Sequence, residues 1–170
     1  SFVTTDLVEA IAAKYGAEVC NTLTGFKYIG ELITNLENDN ETDRFIIGME
    51  ESYGYLCGTY ARDKDAVVAS TMIVEMAAYY KSQGKNLVEV MEEIYAEHGM
   101  YLNSLINVAF EGASGMEKMK NIMESLRNAP PKTIGGLEAT AVADYFTSVS
   151  KDTATGEETA INLPKSNVLQ

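Results

Sequence analysis

Residues 44–65 read RFIIGMEESYGYLCGTYARDKD. An apolar run, Phe45 to Ile47, passes through Gly48 and Met49 into Glu50, Glu51 and Ser52. A glycine-spaced loop follows, then Arg62, Asp63, Lys64 and Asp65, then a long apolar helix. Phe45 to Met49 therefore reads as a buried strand ending in carboxylates and a hydroxyl. In open α/β sheets ligands sit beyond the carboxyl ends of the strands, so polar groups at such an end are placed for binding or chemistry.

Upstream, Phe2 to Thr5 is a strand candidate, and Asp6 with Glu9 has the spacing of a capping box. Leu7, Val8, Ile11, Ala12 and Tyr15 give a helical apolar face that Gly16 stops. Glu18 to Leu23 reads as a second strand. Thr24 and Gly25 open a second helix with Phe26, Ile29, Ile33 and Leu36 on one face, and Glu37 to Asp43 is a solvated loop. The alternation of strand and helix predicts an α/β fold: a mixed, mainly parallel sheet flanked by helices and joined by right-handed crossovers.

Downstream, Ala66 to Ser82 is apolar almost all round and is expected to be buried. Asn86 with Glu89 forms a second capping box, followed by Leu87, Val90, Met91, Ile94 and Tyr95 at helical spacing. His98, the single histidine, falls in the last turn, where it complements the helix dipole. Tyr101 to Phe110 is a further strand candidate. Glu111 to Gly115, EGASG, suggests a boundary, with one domain over 1–112 and a small incomplete α+β segment over 113–170. In that segment Ser114 and Glu117 suggest a cap for a helix through Leu126, and Pro130 and Pro131 stop it. Gly135 to Phe146 and Ala160 to Leu169 read as strands around a polar loop, Thr147 to Thr159. A chain that opens and closes within strand candidates is expected to be a piece of a longer one.

The net charge of −12, from 25 acidic and 13 basic residues, argues against nucleic acid or an anionic membrane surface as partner. It leaves room for a small anionic substrate met by local cations. Cys20 and Cys57 are too few for a disulfide framework, and with no visible signal peptide the expected setting is a reducing cytoplasm.

Several groups are candidates for chemistry. Glu50 and Ser52, on one face of a strand, suit a polyol, because a carboxylate accepts and a hydroxyl both donates and accepts. The alternative is a polar strand end facing water. Thr24, Gly25 and Lys27 lie at a helix start, where free N–H groups and a lysine favour an anion; an ordinary cap would look the same. Lys64 or Arg62 could meet an anionic ligand, while Asp63 or Asp65 caps the next helix; a solvated charged turn is the alternative. One histidine and no nucleophile partner leave triad chemistry without support.

TLTGFKYIG (22–30), GMEESYGYLCG (48–58) and ARDKDAV (61–67), in this order, resemble the third domain of the α-D-phosphohexomutases, in the phosphoglucomutase and phosphopentomutase-like branch. NAPPKTIGGLEATAVADYF and INLPKSNVL resemble the start of the fourth domain. The resemblance implies an enzyme that transfers phosphoryl groups through a bisphosphorylated sugar, using a phosphoserine and a Mg²⁺ site that both lie outside these residues. It implies substrate-binding roles for Glu50, Ser52 and Lys64, and positions beside the ligand for Thr24, Gly25 and Lys27. The implied partners are a hexose phosphate, a hexose bisphosphate and the remaining domains of the same chain. No catalytic residue is expected within this segment. Phosphopentomutase, phosphomannomutase and a non-catalytic sugar-phosphate-binding module are the alternatives.

Overall fold

The structure is a computed structural model that describes residues 1–170. It divides into two compact units, Ser1–Ser104 and Leu105–Gln170.

The first unit contains α1 (Leu7–Tyr15), α2 (Phe26–Asn38), the short strands β1 (Gly48–Met49) and β2 (Tyr55–Leu56), α3 (Ala66–Ser82) and α4 (Leu87–His98). Its buried core is Phe26, Ile29 and Ile33 of α2 against Leu56 of β2, with Phe45 and Ala61 packed on the margin. The three-and-four spacing along α2 thus places one apolar face inward, as the sequence predicts. Gly16 ends α1 in the left-handed region at φ 67°. Asn86 and Glu89 form the full capping box of α4.

The expected parallel sheet is not what these residues build. β1 and β2 are an antiparallel hairpin, Gly48 opposite Leu56 and Met49 opposite Tyr55. Phe2 to Thr5 is a turn, and neither Glu18–Leu23 nor Tyr101–Phe110 forms a ladder. A parallel strand needs continuous backbone partners. Here 17–21 and 45–49 line one cavity of about 810 Å³, together with faces of α1 and α2, instead of pairing across it. Side chains hold its rim, with Arg44 reaching Glu18 at 2.9 Å.

Helix α3 also departs from expectation. It packs against β2 and α4, yet none of its residues is buried. Uniform apolarity predicts burial only where other elements surround the helix.

The second unit contains α5 (Gly112–Asn128), the hairpin β3–β4 (Thr133–Ile134 with Leu137–Glu138) and an antiparallel sheet of β5 (Ala141–Asp144), β6 (Val149–Asp152) and β7 (Glu158–Ala160). Strand β6 occupies part of the expected loop. Its polar residues suit a sheet open to water, so the apolar alternation that marks a half-buried strand is missing. Helix α5 starts before Ser114, with Glu111 at its N-cap and no side-chain cap bond. The final residues join β5 through reciprocal bonds between Ala143 and Gln170, at 2.7 and 2.9 Å. Arg127 reaches both carboxylate oxygens of Asp144 at 3.0 Å, and Asp144 also accepts from the Phe146 N–H and the Thr147 hydroxyl.

No helix is long and apolar enough to cross a membrane.

Candidate functional site

The site is built around the start of α2. Gly25 occupies the N-cap at φ 123°, a conformation open to glycine and costly for other residues. Its own side cannot cap the helix. Glu50 does so from 25 positions away: its Oε1 accepts from the Gly25 N–H at 2.8 Å. The carboxylate lies at the positive end of the helix dipole, where negative charge is favourable. Glu50 is only 6% exposed.

The hairpin turn explains that burial. The Glu50 N–H donates to the Gly54 carbonyl at 2.9 Å, turning the chain directly after β1. Glu51 and Ser52 therefore lie in a turn, with Tyr53 at φ 62°. The strand-face alternation expected for Glu50 and Ser52 does not apply, because the strand stops at Met49. Glu50 faces inward and Ser52 is exposed. Glu51 accepts a hydrogen bond from the Ser1 hydroxyl at 2.9 Å.

Lys64 approaches from the loop between β2 and α3. A Cβ placed on Gly54 would lie 2.8 Å from Lys64 Cδ and 3.3 Å from Glu50 Oε2. The two side chains thus converge over one α-carbon that carries no side chain. Lys64 Nζ bonds Asp63 at 2.9 Å and lies 5.6 Å from the Phe26 ring centre. The Asp63 carboxylate raises the lysine pKa above its ordinary value, and Glu50 adds to the shift. Asp65, not Asp63, caps α3, accepting from Val67 and Val68.

Thr24 is exposed beside Gly25, and Lys27 is exposed with its ammonium 4.7 Å from the Tyr28 ring centre. The structure therefore brings Gly25, Glu50 and Lys64 together and leaves Ser52, Thr24 and Lys27 on the surrounding surface. Arg62 is not free for an anion: its guanidinium is bound to α2 and to its own loop. Sequence reasoning missed Gly54, which makes room for the convergence; a glycine between two tyrosines was its only signal.

His98 lies in the last turn of α4, 3.9 Å from Glu97. Cys20 and Cys57 are free thiols, and burial raises the pKa of Cys57. No group of three or more His, Cys, Asp or Glu is gathered where it could hold a metal ion.

A buried carboxylate thus stands at a helix start, faced by a loop lysine on a mixed α/β scaffold. Residues 1–98 match the family described as Phosphoglucomutase/phosphomannomutase, alpha/beta/alpha domain III. The chain belongs to the phosphoglucomutase/phosphomannomutase family. It is 35% identical over 170 residues to a phosphoglucomutase of Staphylococcus haemolyticus (strain JCSC1435). It is 37% identical over 174 residues to a phosphoglucomutase of Staphylococcus aureus (strain bovine RF122 / ET3-1). Both alignments cover 100% of this chain and 30% of the relative, so the chain spans under a third of the length of these relatives. No solved structure matches it.

Proposed function

We propose that this chain is the sugar-recognition portion of a phosphoglucomutase, which interconverts glucose 1-phosphate and glucose 6-phosphate through a bisphosphorylated sugar. In this reading residues 1–112 are the third domain and 113–170 begin the fourth. The convergence of Glu50 and Lys64 over Gly54 carries the proposal. Glu50 Oε1 is held by Gly25, which fixes the carboxylate and leaves Oε2 as the acceptor for a sugar hydroxyl in this reading. Lys64 supplies positive charge to an anionic ligand in an otherwise acidic chain, and Ser52 adds a hydroxyl at the exposed turn. Thr24 and Lys27 flank the same helix start.

The family generally uses Mg²⁺ and a phosphoserine, and we assign both to other parts of a longer, cytoplasmic protein. The residues here bind and orient the sugar. Phosphoryl transfer depends on positioning and on electrostatic stabilisation together, so this segment alone is expected to be inactive.

The test compares the longer protein that carries this segment with the 170-residue chain. The longer protein is expected to convert glucose 1-phosphate to glucose 6-phosphate, and the segment to convert none. Turnover by the segment would overturn the assignment of roles. Preference for a pentose or mannose phosphate would move the substrate to phosphopentomutase or phosphomannomutase. Binding without turnover in the longer protein would leave a sugar-phosphate-binding module.

A further inference from the structure

We propose that Arg62 is the positioning residue for Lys64, and that it uses helix α2 as a support shared with Glu50. The inference rests on the reading of Glu50 and Lys64 as sugar-phosphate ligands.

The Arg62 guanidinium is a four-way fork. Nε donates to Thr34 Oγ1 at 3.0 Å and Nη2 to Glu37 Oε2 at 2.5 Å, both on α2. Nη1 donates to the carbonyls of Thr59 and Ala61 at 2.7 and 3.1 Å, closing its own loop. The backbone follows the side chain. A Cβ on Gly30 would lie 2.8 Å from the Arg62 carbonyl oxygen, so this approach of loop to helix requires glycine at 30.

Beyond Lys64 the loop is tied again. The Asp65 N–H donates to the Tyr55 carbonyl at 2.8 Å, and the Asp65 carboxylate accepts from Tyr60 at 2.6 Å. Lys64 therefore sits between two anchored residues. Glu50 is tied to Gly25, the N-cap of this helix, and Arg62 is tied to Thr34 and Glu37 further along it. One rigid element sets the positions of both ligand groups.

Stability alone is a weak reason for this arrangement. The Arg62–Glu37 pair has side chains 36% and 60% exposed, and exposed pairs contribute little. A planar fork gives geometric definition that a point charge does not.

A double-mutant cycle in the longer protein tests the proposal, with kcat/KM for glucose 1-phosphate as readout. Arg62→Ala is expected to lower kcat/KM about tenfold, chiefly through KM, while in a Lys64→Ala background the same change has less than about a twofold effect. Multiplying effects would overturn the inference and leave the site intact. No effect of Lys64→Ala would overturn both the site reading and the inference. Arg62→Lys keeps the charge without the fork and should show the alanine-like loss; full activity in that variant would sink the proposal. If Arg62→Ala does not fold, Thr34→Val with Glu37→Gln removes only the α2 partners and completes the same cycle.

Discussion

Glu50 Oε1 accepts a hydrogen bond from the Gly25 N–H at 2.8 Å, so a residue proposed for ligand binding also caps a helix. The two roles separate by substitution. Glu50→Gln keeps an acceptor for Gly25 and should retain the fold while weakening sugar-phosphate binding. Glu50→Ala leaves the Gly25 N–H without its acceptor and should cost about 1–3 kcal/mol as well. Urea unfolding midpoints read alongside ligand titration check this; equal stability of the two variants would contradict the capping role.

Gly48 closes the core of the first unit. A Cβ there would lie 2.5 Å from Ile29 Cγ2. Gly48→Ala should therefore destabilise the chain by about 1–3 kcal/mol through overpacking. Ile29→Ala removes the obstructing methyl, so the double variant should lose less than the sum of the single losses. Denaturant titration of the four proteins measures the coupling.

Asp144 makes the second unit sensitive to acid. Burial opposes its ionisation, but hydrogen bonds from Arg127, the Phe146 N–H and Thr147 prevail and lower its pKa. A lowered folded pKa gives stability that is present above the unfolded value, about 4, and is lost as pH falls through the folded value. Asp144→Asn should cost about 1–3 kcal/mol at pH 7. Its deficit against the parent should shrink as the solution is acidified below about pH 4. Urea midpoints of both proteins across that range test the sign; a deficit that grows on acidification would refute it.

What could be read from the sequence was local. Phe26, Ile29 and Ile33 announced their buried face by spacing, and Asn86 with Glu89 announced a cap by separation alone. The family was legible too, because its motifs are contiguous. What escaped were contacts between distant residues. Nothing near Gly25 indicates that its N–H is met by Glu50, nor does the charge pattern at 62–65 show that Arg62 turns toward α2. The parallel sheet failed for a related reason. Val19 and Ile47 have strand-like neighbours in sequence, but a ladder depends on which backbone comes alongside.

Helix α3 sets the colloidal behaviour of the chain. Val67, Val74 and Tyr79 are 76%, 68% and 62% exposed, on a molecule whose net charge is −12. Apolar patches of this kind favour self-association, while like charge on every copy opposes it. Salt shortens the reach of that repulsion without covering the helix. Copies of this chain are therefore expected to stay apart in dilute buffer and to associate as ionic strength rises, which light scattering across a salt series checks.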